Sequence, residues 1–318
     1  MLSLKTILQK FSKNKNSLYY ASLMMTSTAA YLLVYKKGQK NPIHTAEQSL
    51  DGSEDWLNCI TQILDSTPLL KQASLNVVLP GSQYQLFVAD KPDVAESEMA
   101  AAIKYAAADY INSPLDEVIT EYFDIPVQQH GQNKINLVVA NKNFVLMVAK
   151  VCRQKCHLLK RITIDELAYE DLFLQDHEAS LLVVHHPNEQ LLVQIVKEGE
   201  IYFFRRIRGY DKLDTFAELE IKHGAADGLS LEIQRSLDYF ESQLRQAPVK
   251  RIYISVQNKH ENQLIEQIGE NFDVPVLPLK NRLIDELPES DNHAYFPAVG
   301  AVQELLYEHS KSAQGDAV

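Results

Sequence analysis

From Ser17 to Tyr35 the chain carries no charge over 19 residues, yet nine of them are Ser, Thr or Tyr. That length is enough to cross a bilayer as a helix. The Tyr, Val, Thr and Leu content instead favours two strands, with "MMTST" turning between them, and a membrane span or signal anchor is kept as the alternative. Further on, apolar and polar positions alternate in short runs between helical stripes. "IHTAEQ" (43–48) reads as a third strand. A helix from about Glu54, capped by Asp51 or Ser53, places Trp56, Leu57, Ile60, Ile63 and Leu64 on one face. "LNVVLPGSQYQLFVAD" (75–90) reads as two strands around a Pro-Gly turn. An alanine-rich helix over 96–111 ends at Asn112-Ser113-Pro114, strands follow at 118–125 and 135–141, and a helix runs from Asn143 to about Leu159.

The second half repeats this grammar. Strands are expected at 180–186, 190–196 and 200–207, followed by a helix over 229–246 with Leu229, Ile233, Leu237, Phe240 and Leu244 aligned. Two halves that each open on three strands and continue into helices predict a duplicated α/β architecture.

Composition excludes some classes. A chain of 318 residues is long for a single core, and 46% apolar with 23% charged residues describes an ordinary globular protein. With 31 basic against 42 acidic residues the net charge is -11, so no nucleic-acid partner is expected. The basic exception is the arm at 1–16, where Lys5, Lys10, Lys13 and Lys15 accompany a stripe of Leu4, Ile7, Leu8 and Phe11. It reads either as a frayed terminus or as a segment making weak contact with an anionic membrane surface. Three cysteines (Cys59, Cys152, Cys156) make no disulfide framework and fit a reducing compartment. "CRQKCH" has three residues between its cysteines where haem attachment needs two, and no second Cys/His pair completes a zinc site, so no metal is expected. His185 and His186 read as a strand end, with a metal or proton-switch role as the alternative. No G-x-S-x-G, Walker loop, H-E-x-x-H or G-x-G-x-x-G occurs.

Three stretches carry a family resemblance. "INSPLDEVITEY" (111–122) resembles the signature of the PilM family of type IV pilus assembly proteins, in which a helix ends in Pro-Leu-Asp-Glu before a strand. "GLSLEIQRSLDYFESQ" (228–243) is similar to the long helix of that family's second lobe, and "VKRIYIS" (249–255) to the strand after it. The resemblance extends over roughly 18–308, and within the family it points to the branch serving the mannose-sensitive haemagglutinin (MSHA) pilus.

It implies an actin-like, ribonuclease H-like duplicated α/β fold of two lobes with a small inserted subdomain. On this plan 1–16 is the arm, 17–72 and 142–180 form the first lobe, 73–141 the insertion, 181–310 the second lobe and 311–318 a disordered tail. It also implies a cytoplasmic location at the inner-membrane face. The implied partner is the cytoplasmic tail of a PilN-like (MshJ-type) membrane protein, with the assembly ATPase of the pilus machine as a second. Leu115, Asp116 and Glu117, bordering the groove that takes the tail, are the candidate partner-binding residues.

The same resemblance implies two phosphate hairpins, and both lack their chemistry here. The family's first hairpin carries Asp-Ile-Gly, then hydroxyl residues and a lysine. The Asp position falls on Leu23, the Gly on Met25 and the lysine on Ala30, and only Thr26, Ser27 and Thr28 keep the pattern. The second, Val-Asp-Ile-Gly, falls on Val184-His185-His186-Pro187, and the glycines expected after "YIS" fall on Val256-Gln257-Asn258. Leucine cannot organise magnesium-bound water, and methionine blocks the approach that glycine permits. The expectation is a pseudo-ATPase scaffold with no cofactor, against the alternative of an actin-like ATPase with nonstandard loops.

Overall fold

The computed structural model describes residues 17–50, 55–129, 131–174, 176–284 and 289–315. Lys5, Lys10, Lys13 and Lys15, and the expected helix caps Asp51 and Ser53, lie outside the described residues. The chain divides into two compact units, one of residues 1–165 with 301–318 and one of residues 166–300.

In the first unit the uncharged stretch is a β-hairpin. Strands β1 (Tyr19–Met25) and β2 (Ala29–Lys36) pair antiparallel from Tyr19↔Lys36 to Met25↔Ala30. Nearly every residue of both is buried, which is why the hydropathy resembles a membrane span: strands covered on both faces read as continuous apolar runs. Among the described residues no helix is long and apolar enough to cross a membrane. β3 (Pro42–Ser49) adds the antiparallel edge.

Helix α1 (Trp56–Asp65) is capped by Asp55, whose Oδ1 accepts from the Asn58 N–H at 3.0 Å. Asp55 thus takes the place expected for Asp51 or Ser53. Its buried face uses Cys59 where Leu57 was expected, and Leu57 is exposed. β4 (Ala73–Val78) runs parallel to β1. β5 (Tyr84–Asp90), α2 (Glu96–Ala106), β6 (Val118–Asp124) and β7 (Lys134–Asn141) follow. α3 (Lys142–Lys155) is capped by Asn141, packs Phe144 edge-on against Trp56 at 5.9 Å, and leads to β8 (Leu158–Thr163). The helix expected to reach Leu159 stops at Lys155, because Leu158 and Leu159 enter that strand.

These strands form two sheets, in the orders β3-β2-β1-β4-β8 and β5-β7-β6. The Pro80-Gly81 turn therefore joins strands of different sheets. The inserted sheet begins at Tyr84, not at 73, since Ala73–Val78 lies in the main sheet. Its core is Ala89, Met99, Ile103, Val118, Ile135, Leu137 and Val139, with α2 covering one face.

The second unit repeats the main sheet. After α4 (Asp165–Asp171), strands β9 (Ser180–His185), β10 (Leu191–Lys197) and β11 (Glu200–Ile207) form an antiparallel meander. Helix α5 (Ala226–Asp238) runs on through a wide turn at Tyr239–Gln243, and the expected stripe Leu229, Ile233, Leu237, Phe240 and Leu244 is buried. β12 (Arg251–Val256), α6 (Glu261–Gly269) and β13 (Val276–Pro278) complete the order β11-β10-β9-β12-β13, in which β9, β12 and β13 are parallel.

The last helix, α7 (Glu289–Gly315), belongs to the second unit up to Gly300 and to the first from Ala301. It includes residues 311–315, expected as tail. The units thus divide at 165/166 and 300/301, where 180/181 and 310 were expected.

Candidate functional site: two hairpins and a loop

In the first hairpin Leu23, Met25 and Ala30 are fully buried in the sheet. Of the retained hydroxyl residues Thr26 is buried and turned inward, while Ser27 and Thr28 are half-buried. Thr26 N–H donates to the Ala29 carbonyl at 2.9 Å, while Thr26 Oγ1 accepts from the backbone N–H of Thr28 (3.3 Å) and of Ala29 (3.2 Å). This is a hydroxyl-closed turn of the sort Ser and Thr make locally. Three amides at the tip therefore have partners inside the hairpin.

The second hairpin is closed by other means. Pro187 has no N–H. Asn188, in the left-handed region at φ 61°, donates to the Asp211 carbonyl at 3.0 Å, and Glu189 N–H donates to the His186 carbonyl at 3.0 Å. His185, paired with Val256 at the end of β9, is 2% exposed, and neither ring nitrogen meets a hydrogen-bond partner. Burial lowers its pKa, partly opposed by the Asp214 carboxylate and the Asp211 carbonyl. His186 accepts or donates through Nε2 to the Tyr169 hydroxyl at 3.1 Å, and burial above all, then His185, Arg206 and His293, brings its pKa down to about 3. It is neutral at cellular pH. The nearby cation Arg206 is engaged by the fully buried Glu166 at 2.8 Å. The strand-end reading of the two histidines matches this placement, and among the described residues no cluster of three or more His, Cys, Asp or Glu could hold a metal ion.

The loop after β12 is sealed as well. Glu261 Oε1 accepts from the Val256 N–H at 2.8 Å. Asn258 Nδ2 donates to the carbonyls of Leu213 (2.7 Å), Phe216 (3.0 Å) and Asp214 (3.2 Å), and its Oδ1 accepts from the His260 N–H. Ser255 Oγ lies 2.9 Å from His293 Nδ1, and His293 Nε2 lies 3.4 Å from Glu261 Oε2. A serine, a histidine and a carboxylate in line suggest a nucleophile. Yet Ser255 is only 2% exposed, and Glu261 already occupies the adjacent Val256 amide. The arrangement braces the start of α7 within the second unit. Nothing in the spacing of residues 255, 261 and 293 signals it, nor does the sequence signal the Arg206–Glu166 pair.

The candidate partner residues sit in a single turn, Leu115–Glu117, at the mouth of β6. Leu115 is half-buried and packs on the inserted subdomain's core, whereas Asp116 and Glu117 are exposed. The Asp116 carbonyl accepts from Lys142 Nζ at 2.8 Å, tying the turn to α3.

No protein-family model matches the chain, and no curated protein matches it in sequence. Solved structures do. A PilM–PilN type IV pilus biogenesis complex contains a chain similar over 91% of this chain and 99% of its own, at 16% identity and a TM-score of 0.65. A Bacteroides thetaiotaomicron protein described as having an actin-like ATPase fold and unknown function is similar over 90% of this chain and 98% of its own, at 9% identity and a TM-score of 0.53. With the twice-repeated five-stranded sheet, these likenesses show the fold to be actin-like.

Proposed function

We propose that this protein is a cytoplasmic scaffold of a type IV pilus assembly platform, holding the cytoplasmic tail of a PilN-type inner-membrane protein and carrying a degenerate nucleotide site. In its finer form the reading is an MshI-type role in an MSHA-like pilus, with an MshJ-type partner and the assembly ATPase as a second contact. The observation that supports it most is the closure of the phosphate hairpins. The tip amides of Thr26, Thr28, Ala29, Asn188 and Glu189 all have partners within their own unit, and the acid, glycine and lysine positions are Leu23, Met25, Ala30, His185 and Pro187. An anion at such a tip has to win donors away from bonds already made. A scaffold does not need them. The likeness to the PilM chain of a PilM–PilN complex supports the choice of partner.

The test is capture of the protein by the immobilised tail of a PilN-type protein, with and without Mg-ATP, together with calorimetry of Mg-ATP. Capture that is indifferent to nucleotide is expected, with no ATP binding tighter than about 100 micromolar, well short of cellular levels. A tighter constant would turn the reading towards an actin-like ATPase with nonstandard loops. Failure of every PilN-type tail to bind would remove the partner. Reversing both exposed acids, Asp116→Lys with Glu117→Lys, is expected to weaken tail binding, and unchanged affinity would strike that turn from the surface.

A further inference from the structure

The charge of this chain is unevenly placed. Although the net charge is -11, the first acid in the sequence is Glu47, and seven lysines precede it. Backbone pairing in the first unit brings several basic segments to one end of the main sheet. Tyr19, at the start of β1, pairs with Lys36 on one side and Ala73 on the other. Ser74 pairs with Leu158, and Tyr35 with Pro42. Around them, Leu18 N–H donates to the Gln72 carbonyl, Lys37 N–H to the Leu18 carbonyl, and His157 N–H to the Leu70 carbonyl.

This end therefore assembles residues 17–19, 35–42, 65–73 and 153–160. Their basic side chains are Lys36, Lys37, Lys40, Lys71, Arg153, Lys155 and Lys160, and their one acid, Asp65, is held by Lys155. Lys36, Lys40 and Lys71 are exposed, and Leu18 among them stands 54% exposed. Ser17, the first described residue, lies at this same end, its Oγ 2.7 Å from that of Ser74.

We propose that this pole of the first unit is a docking face for an anionic phospholipid surface, formed by folded segments and adding to whatever the arm contributes. Charge complementarity selects the occupant. Exposed lysines at a sheet end, Lys36 closing β2, Lys40 after it and Lys71 in the turn before β4, present ammonium groups to a diffuse layer of headgroup charge, and Leu18 offers an apolar contact at the interface. The remainder of the chain, more acidic than the net charge suggests, is repelled by the same surface, so the attraction also orients the molecule. The proposal stands apart from the identity of the pilus partner and requires no nucleotide.

Flotation of the full chain with phosphatidylglycerol-containing vesicles and with neutral phosphatidylcholine vesicles tests it. Four forms are compared: the wild type, a pole variant (Lys36→Glu, Lys40→Glu, Lys71→Glu), an arm variant (Lys5, Lys10, Lys13 and Lys15 each to Glu), and both together. Surface lysines contribute about fivefold each, so neutralising three costs roughly 100-fold, and the pole variant, which reverses their charge, is expected to lose more than that in partition to anionic vesicles with its arm intact. A parallel Gln series at the same three positions, with an unchanged circular dichroism spectrum, is expected to lose less, in proportion to charge. The binding is expected to fade as salt shortens the screening length. A pole variant that partitions like the wild type overturns the proposal, because attraction would then lie in the arm alone. A wild-type chain that shows no preference for anionic over neutral vesicles overturns it equally, whatever other polyanion it captures.

Discussion

The buried His186 makes the second unit sensitive to acid in a way that one substitution isolates. The imidazole is held against Tyr169 at 3.1 Å, and burial, its first cause, brings its pKa from 6.5 down to about 3. In the unfolded chain it returns to about 6.5. A depressed folded pKa means that the unfolded state binds the extra proton, so the stability is fully present above the unfolded pKa. It is lost as pH falls from about 6.5 towards about 3. By linkage the loss from this residue is on the order of 1 kcal/mol at pH 5.5 and on the order of 3 kcal/mol at pH 4.5. His185 and His293, also lowered by burial, act in the same direction.

Comparing the wild type with His186→Gln, which keeps a polar partner for the Tyr169 hydroxyl, cancels the other titrations. The measurement is urea unfolding at four pH values between 7.5 and 4.5, followed by circular dichroism and by amide exchange in β9. The single tryptophan, Trp56, belongs to the first unit and reports the wrong half. The stability difference between the two proteins is expected to shift in favour of Gln by the amounts above as pH falls. Parallel curves, or a shift in favour of His, would show that the imidazole is not buried as a neutral base.

Three further outcomes follow from packing and turn chemistry. A Cβ on Gly300 would lie 1.8 Å from the Ala168 carbonyl oxygen, so Gly300→Ala is expected to lower stability by roughly 2 kcal/mol or more, and an unchanged melting temperature would refute so close a crossing of α4 and α7. Asn76, fully buried, donates through Nδ2 to the Ala301 carbonyl (2.9 Å) and to Glu304 Oε2 (2.7 Å); Asn76→Ala is expected to cost about 1–3 kcal/mol by urea unfolding, and a neutral result would refute the anchoring of α7 on β4. Thr26→Val removes the hydroxyl that closes the first hairpin and is expected to cost about 1 kcal/mol without creating Mg-ATP binding, whereas gained binding would show that closure alone had been suppressing the site.

Much of the architecture was legible because period and burial agree. The stripe of α5 and the meander of the second unit are faithful to their patterns, since each element has one environment along its length. Readings failed where one apolar run serves two elements. The run that ends α3 passes directly into β8, and only the break at Cys156 and His157 separates a 3.6-residue from a two-residue period. The turn at Pro80-Gly81 was visible, but nothing local tells that its two strands enter different sheets, since register depends on distant partners. The hairpin positions proposed to be degenerate could be picked out through the family resemblance. The bonds that close them could not, because Asn188 reaches Asp211, and Asn258 reaches Leu213 to Phe216, only once the chain has folded.

Hairpin closure and anion binding draw on the same few backbone amides, and this links the fold to the proposed loss of nucleotide chemistry. A tip that keeps glycines can leave its N–H groups pointing outward, with a bound phosphate supplying the missing acceptors. A tip without a ligand must satisfy those groups internally or leave them to water, at a cost of about 1–3 kcal/mol for each one buried unpaired. Here the two hairpins reach internal satisfaction by unrelated means. The first uses a side-chain hydroxyl, Thr26 Oγ1, and the second a residue without an amide, Pro187, with a left-handed Asn188 bonded to a neighbouring segment. A single drifting loop would have no reason to be matched by the other. Closure of both accords with the proposed use of the actin-like frame for docking and not for phosphate transfer. Restoring one hairpin alone, for instance through Leu23→Asp with Met25→Gly, is therefore expected to destabilise the buried sheet without conferring nucleotide affinity.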